Sequence, residues 1–161
     1  MMDVTPQSVI AITDTGTISG GFVVDVLVLI GRILFAALFA VSAMGHFGQT
    51  AAMTGYAQSR GVPSARIAVL AGGVLLALGA ISVLLGIWAD LGALLLVVFL
   101  VPTAVLMHGF WKESDGQAKM TEQVQFLKDL ALAGAALMLF ALFGHFGDDI
   151  GLMITGPLFD L

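Results

Sequence analysis

The sequence contains no cysteine. Disulfides, thiolate zinc sites, iron–sulfur clusters and thiol nucleophiles are therefore excluded, and no redox compartment can be read from it. Charge is scarce as well: Asp, Glu, Lys and Arg make up 11 % of the 161 residues, against about 25 % in soluble domains. Basic residues are the rarer sign, 6 against 11 acidic, for a net charge of −5. A nucleic-acid binder needs a basic face and is excluded. No His-x-x-Glu, Asp-x-Asp or Gly-rich phosphate loop is present, so no motif nominates a metal or a catalytic residue. What remains is apolar, 59 % of the chain. A soluble domain of this length cannot bury so much, which excludes an ordinary globular enzyme. The solvent for most of this chain is lipid.

A bilayer core about 30 Å thick is crossed by roughly 20 apolar helical residues. Residues 67–89, 91–111 and 130–147 qualify without an internal charge. Residues 22–45 also qualify, although they hold Asp25 and Arg32. Two central charges cost about +5 to +7 kcal/mol on the insertion scale, which the many Leu, Ile, Phe and Val residues of that span offset. The expected fold is all-α: an integral membrane four-helix bundle with short interfacial helices. It divides into a polar tail (1–21), a four-span domain (22–147) and an interfacial C-terminal tail (148–161).

Asp90 alone separates the second span from the third, so a tight hairpin is expected near Gly86 and Gly92. Trp88 lies at that hairpin and Trp111 at the far end of the third span, marking opposite membrane surfaces. Loops 47–66 and 112–129 hold Arg60, Arg66, Lys112, Lys119 and Lys128, while the tails and hairpin hold no cation. By the positive-inside rule those loops are cytoplasmic and both termini are outside. Residues 47–64 read as an interfacial helix ended by Gly61-Val62-Pro63.

Small residues mark helix contacts in lipid. Gly72, Gly79 and Gly86 recur every seventh position and form one seam, with Gly73 and Ala77 beside it. In the last span Ala133, Gly134, Ala136 and Ala141 are the corresponding small residues. In the first span Asp25, Arg32, Phe39 and His46 share a stripe with Ala36, Ala40 and Ala43, so this face points into the bundle. Arg32 lies well inside the span and is a functional candidate by default. The structural alternative pairs it with Asp25 or backbone carbonyls, or lets it snorkel.

His46 and His108 end the first and third spans at one depth, where they could hydrogen-bond a quinone or ligate haem or a metal. Bridging headgroups and water is the plainer role for both. His145 lies near the other surface. Pro102 sits mid-span and deprives the Val98 carbonyl of its amide, which bends a helix. Thr103 could place a hydroxyl near that break. Helical geometry sets Thr103 and His108 about 140° apart, so they are not expected to face one site.

The segments Gly31-Arg32-Ile33-Leu34-Phe35, Gly45-His46-Phe47, Gly61-Val62-Pro63, Gly72-Gly73 with Gly79, and Phe126-Leu127-Lys128-Asp129-Leu130-Ala131-Leu132-Ala133-Gly134 together resemble the DoxX family. The resemblance runs from about Gly31 to Leu142. It implies a four-helix bacterial membrane protein in a family named for a subunit of a thiosulfate:quinone oxidoreductase. This chain departs in having Ala71 where many relatives carry glutamate, and Lys128-Asp129 where relatives often have Lys-Asn. If that glutamate is the partner of the first-span arginine, Arg32 must pair otherwise, with Asp25 the candidate.

Two functional expectations follow. The first is a small non-catalytic subunit that anchors or stabilises a larger membrane redox complex, with lipid and other subunits as partners. The second is a quinone-coupled component, with Arg32, Asp25, His46 and His108 around the ligand and no covalently bound cofactor. A small-anion transporter is the third class, weakened by the absence of an inverted repeat.

Overall fold

The structure, a computed structural model, describes residues 14–159 and 161, with side chains from Gly21 onward. Among the described residues five helices follow one another: α1 (Asp14–Gly48), α2 (Thr50–Ser59), α3 (Ala65–Leu85), α4 (Ala89–Met107) and α5 (Gly116–Phe146), with a single 3-10 turn at Phe110–Lys112. α1, α3, α4 and α5 each carry an apolar segment long enough to cross a bilayer. The protein is an all-α, integral membrane bundle.

Boundaries differ from the sequence expectation at both ends. α1 already runs from Asp14, in the stretch expected as tail; residues 1–13 lie outside the described residues. α5 is continuous for 31 residues, about 46 Å at 1.5 Å per residue. Most of the expected loop 112–129 is therefore the first part of this helix. The Asp115 carboxylate accepts from the Ala118 amide at 2.8 Å and caps this helix.

Packing is sequential: α1 on α3, α3 on α4, α4 on α5, with α2 folded against α3. α1 and α5 share almost no contact. Gly72 and Gly79 of the seam face α4: a Cβ at Gly72 would stand 2.9 Å from the Phe99 ring, and one at Gly79 would stand 2.6 Å from Leu96, whereas Gly86 ends the helix against Arg32 and Met153. Gly73 faces α1 instead, where a Cβ would meet His46 at 2.9 Å. Arg32, Ala36, Phe39 and Ala43 of the α1 stripe are buried, but Ala40 is exposed. A second correction falls on α5, where Ala133 and Ala136 are buried while Gly134 and Ala141 face outward.

The hairpin between α3 and α4 is confined to Gly86, Ile87 and Trp88. Gly86 ends α3 in the left-handed region (φ +67°), and its amide and that of Ile87 both return to the Ser82 carbonyl. This is the double closure that glycine permits after a helix. Trp88, half exposed, is left-handed as well (φ +45°) and leads into α4.

Residues 148–159 form no helix. They cross the end of the bundle at this hairpin, where the Ile154 and Thr155 amides donate to the Gly86 carbonyl and the Trp88 amide donates to Thr155 Oγ1. Asp90, expected to separate the second and third spans, lies in the first turn of α4 and is 0 % exposed. Its Oδ2 accepts the Leu158 and Phe159 amides at 2.8 and 2.7 Å.

Candidate functional site

The four sequence-nominated polar residues fall at two ends of the bundle. At the hairpin end, Arg32 is 3 % exposed and spends its guanidinium on backbone. Nε donates to the Val83 carbonyl (2.8 Å), Nη2 to Leu84 (2.7 Å) and Nη1 to Leu152 (2.8 Å). Val83 and Leu84 are in the last turn of α3, where carbonyls lack intrahelical amides and the dipole is negative. A fixed planar cation satisfies both demands at once. The sequence alternative of backbone carbonyls is thus the one realised. Asp25 does not pair with Arg32; its Oδ1 accepts from the Gly151 amide at 2.9 Å. The expectation of an Asp25–Arg32 partnership is corrected: α3's exposed carbonyls are nearer competitors for the guanidinium, and the C-terminal segment supplies Asp25 with a donor. A side chain at Gly151 would collide with that carboxylate.

The other end holds a cavity of about 420 Å³ between α1, α2, α3, α4 and α5. Its wall is mostly apolar, with Phe39, Leu76, Phe99 and Leu132 among its residues. Ser42, His46, Tyr56, Thr103, His108, Lys128 and Asp129 supply polar atoms. Arg32 and Asp25 are not in the wall. The structure therefore brings His46 and His108 together around one space and places Arg32 and Asp25 elsewhere.

His46 reaches the cavity because Gly72 and Gly73 let α1 approach α3; its ring meets Phe99 edge-on, 5.6 Å between centroids. Its Nδ1 lies 2.9 Å from the Ser42 carbonyl, so Nδ1 carries the hydrogen. His108 follows α4, where the backbone has left the helix (φ −110°, ψ 33°). For that reason the helical-wheel separation from Thr103 does not apply, and both residues line the same wall, contrary to the sequence expectation. Thr103 donates to the Phe99 carbonyl at 2.7 Å, one turn back and beside the Val98 carbonyl that Pro102 leaves without an amide.

Behind His108 stands a polar network that the sequence reading missed. His108 Nδ1 is 2.8 Å from Glu122 Oε2, and Nε2 is 3.7 Å from Asp129 Oδ2. Arg60 pairs with both Glu113 and Glu122, and the Tyr56 hydroxyl donates to Glu122 at 3.0 Å while accepting from Arg60. The bond to Glu113 raises the Arg60 pKa further above its ordinary value, and burial raises that of the Tyr56 hydroxyl. This network ties α2 to α5 and fixes the His108 ring. A signal for it existed: Asp115, Glu122, Asp129, Ala136 and Phe143 recur every seventh residue along α5, the same pattern that revealed the inward stripe of α1. At 5 % exposure Asp129 belongs to that inward stripe. Trp111, expected at an interface, is half exposed and packs edge-on with Phe110 and Phe126. Among the described residues, no group of three or more His, Asp or Glu side chains is arranged to hold a metal.

Comparison with known proteins agrees with this architecture. No solved structure matches the chain significantly. It is similar to the inner membrane protein YphA of Escherichia coli (strain K12), at 29 % identity over 114 residues, covering 71 % of this chain and 81 % of YphA. The DoxX family profile matches residues 27–109, more than half of the chain, from the inward stripe of α1 to the turn after His108. With four apolar spans and that match, this integral membrane protein belongs to the DoxX family.

Proposed function

We propose that this protein is a membrane-embedded component of a redox assembly and that it holds a quinone-type lipid in the cavity beside α2. One observation carries this: a mostly apolar space of about 420 Å³ with a few polar side chains in its wall, formed among membrane-spanning helices. That volume is in the range of about 300–1,000 Å³ of small-molecule sites, which combine apolar walls with a few placed polar groups. His46, His108, Thr103 and Asp129 would face a ring's oxygens, and Phe39, Phe99 and Leu132 its apolar parts. A bound quinone supplies two-electron, two-proton redox chemistry. None of the wall side chains is itself an electron carrier, so electrons pass to or from another subunit. The small-anion alternative is not favoured, because it needs an arginine facing the space and Arg32 is engaged with carbonyls elsewhere.

The similarity to an inner membrane protein supports placement in a bacterial cytoplasmic membrane. Arg60, Arg66, Lys112, Lys119 and Lys128 favour the cytoplasmic side for α2 and the start of α5. The cavity's network then lies near the cytoplasmic face, where a soluble redox partner would dock.

Mild-detergent extraction followed by solvent extraction and mass spectrometry is expected to find a quinone in near-stoichiometric amount. Ala71→Trp, which grows into the cavity from its exposed rim, is expected to empty it. Equal quinone content in the two proteins would overturn the ligand assignment. A native complex holding this chain at fixed stoichiometry supports the assembly; migration alone would reject it.

A further inference from the structure

We infer that the cavity is built to receive a hydrogen-bond donor, so that it holds the hydroxyl-bearing form of its ligand, a hydroquinone or similar phenol, in preference to the carbonyl form. The inference rests on the cavity being the ligand site proposed above. It comes from following every hydrogen on the polar side chains of the wall.

Ser42 Oγ donates to the Leu38 carbonyl at 2.9 Å, and Thr103 Oγ1 to the Phe99 carbonyl at 2.7 Å. A carbonyl only accepts, so each hydroxyl hydrogen is committed and only oxygen lone pairs are left for the cavity. The same reasoning fixes His46: its Nδ1–H is committed to the Ser42 carbonyl, which leaves the Nε2 lone pair in the neutral ring. The Tyr56 hydrogen goes to Glu122, and the His108 Nδ1 hydrogen to the other oxygen of Glu122. Asp129 is an acceptor, and His108 Nε2 faces it. Lys128 is the one side-chain donor with hydrogens to spare, but it is half exposed, bonds Gln125 at 2.7 Å and leans on Asp129 at 3.3 Å. The Val98 carbonyl, without its amide, adds one more acceptor to this wall.

The free polar surface is therefore a set of lone pairs: Ser42, Thr103, His46 and Asp129. A quinone oxygen also brings only lone pairs, and against these groups it would find no hydrogen. A hydroquinone brings two O–H groups and satisfies up to two acceptors. Discrimination by hydrogen-bond complementarity is strong, because the mismatched form leaves buried groups unpaired.

The test uses the full chain in nanodiscs, with decyl-benzoquinone under air and decyl-hydroquinone under argon with reductant, each measured by equilibrium ultrafiltration and chromatography. The hydroquinone is expected to bind at least tenfold more tightly. A tenfold preference equals a rise of about 30 mV in the potential of the bound couple, a second readout by redox titration. Thr103→Val and Ser42→Ala remove one acceptor each with little change in volume, and each is expected to shrink the preference severalfold by weakening hydroquinone binding more than quinone binding. Equal affinity for the two forms, or tighter quinone binding, would overturn this inference and leave the ligand site standing. Binding of neither form would overturn both.

Discussion

Replacing Arg32 by methionine separates a structural from a ligand-binding arginine. The substitution keeps an unbranched apolar stem and deletes three hydrogen bonds, to Val83, Leu84 and Leu152. Side-chain bonds within membrane proteins average about 0.6 kcal/mol and reach about 1.7, so three are worth roughly 2–5 kcal/mol. Methionine also removes the cost of burying a guanidinium, which places the expected loss in the lower half of that range. Arg32→Lys retains charge but not the planar fork that serves several carbonyls at once, so it is expected to lose part of the same stability. Two measurements in detergent read the effect: thermal unfolding by circular dichroism, and chymotryptic cleavage within residues 148–161, which Arg32 holds through Leu152. The variant should melt several degrees lower and be cut faster in that segment, with its quinone content per folded molecule unchanged. Wild-type melting and wild-type protection would refute the reasoning. Loss of quinone with the segment still protected would return Arg32 to the ligand site.

Asp90→Ala should free the segment from its other end, since the Leu158 and Phe159 amides both bond Oδ2; bonds to charged groups are worth about 1.5–3 kcal/mol each, and faster cleavage near Phe159 reads the loss. Gly79→Ala puts a methyl group 2.6 Å from Leu96 and 3.0 Å from the Gly92 carbonyl, so a loss of about 1–3 kcal/mol from overpacking should appear in the melting curve. Gly134→Ala meets nothing within 4 Å and should gain up to about 1 kcal/mol from helix propensity; a loss there would show that the outward face of α5 is covered. Glu122→Gln removes the carboxylate shared by Arg60, Tyr56 and His108, and faster hydrogen exchange across α2 should report its release from α5.

The spans were legible because lipid demands long uncharged runs, and the inward face of α1 because Arg32, Phe39 and Ala43 repeat at helical spacing. Less legible was the use made of Arg32. Its partners are main-chain carbonyls, which every residue possesses and no side-chain pattern reveals. Asp90 was hard to read for a related reason: nothing in a lone carboxylate at a hairpin shows that the distant amides of Leu158 and Phe159 reach it. His46 and His108 line one cavity, but the groups that orient His108, Glu122 and Asp129, come from α5. Glu122 and Asp129 repeat at the same interval as the α1 stripe, so they could have been found. The link from Arg60 to Glu113 spans two loops and has no sequence signature. Thr103 and His108 were set apart by a wheel drawn past the last helical residue, and the backbone turn at His108 cancels that angle.

α1 and α5 share few close backbone contacts, so an opening of the cavity between them would face acyl chains rather than water. A lipophilic guest would then slide in laterally, its tail never leaving the hydrocarbon. The concentration that governs occupancy is then mole fraction in the leaflet, where ordinary phospholipids are the standing competitors. Affinities measured against aqueous solution then contain the probe's partitioning into lipid, and changing the lipid composition would retune occupancy without altering a single residue.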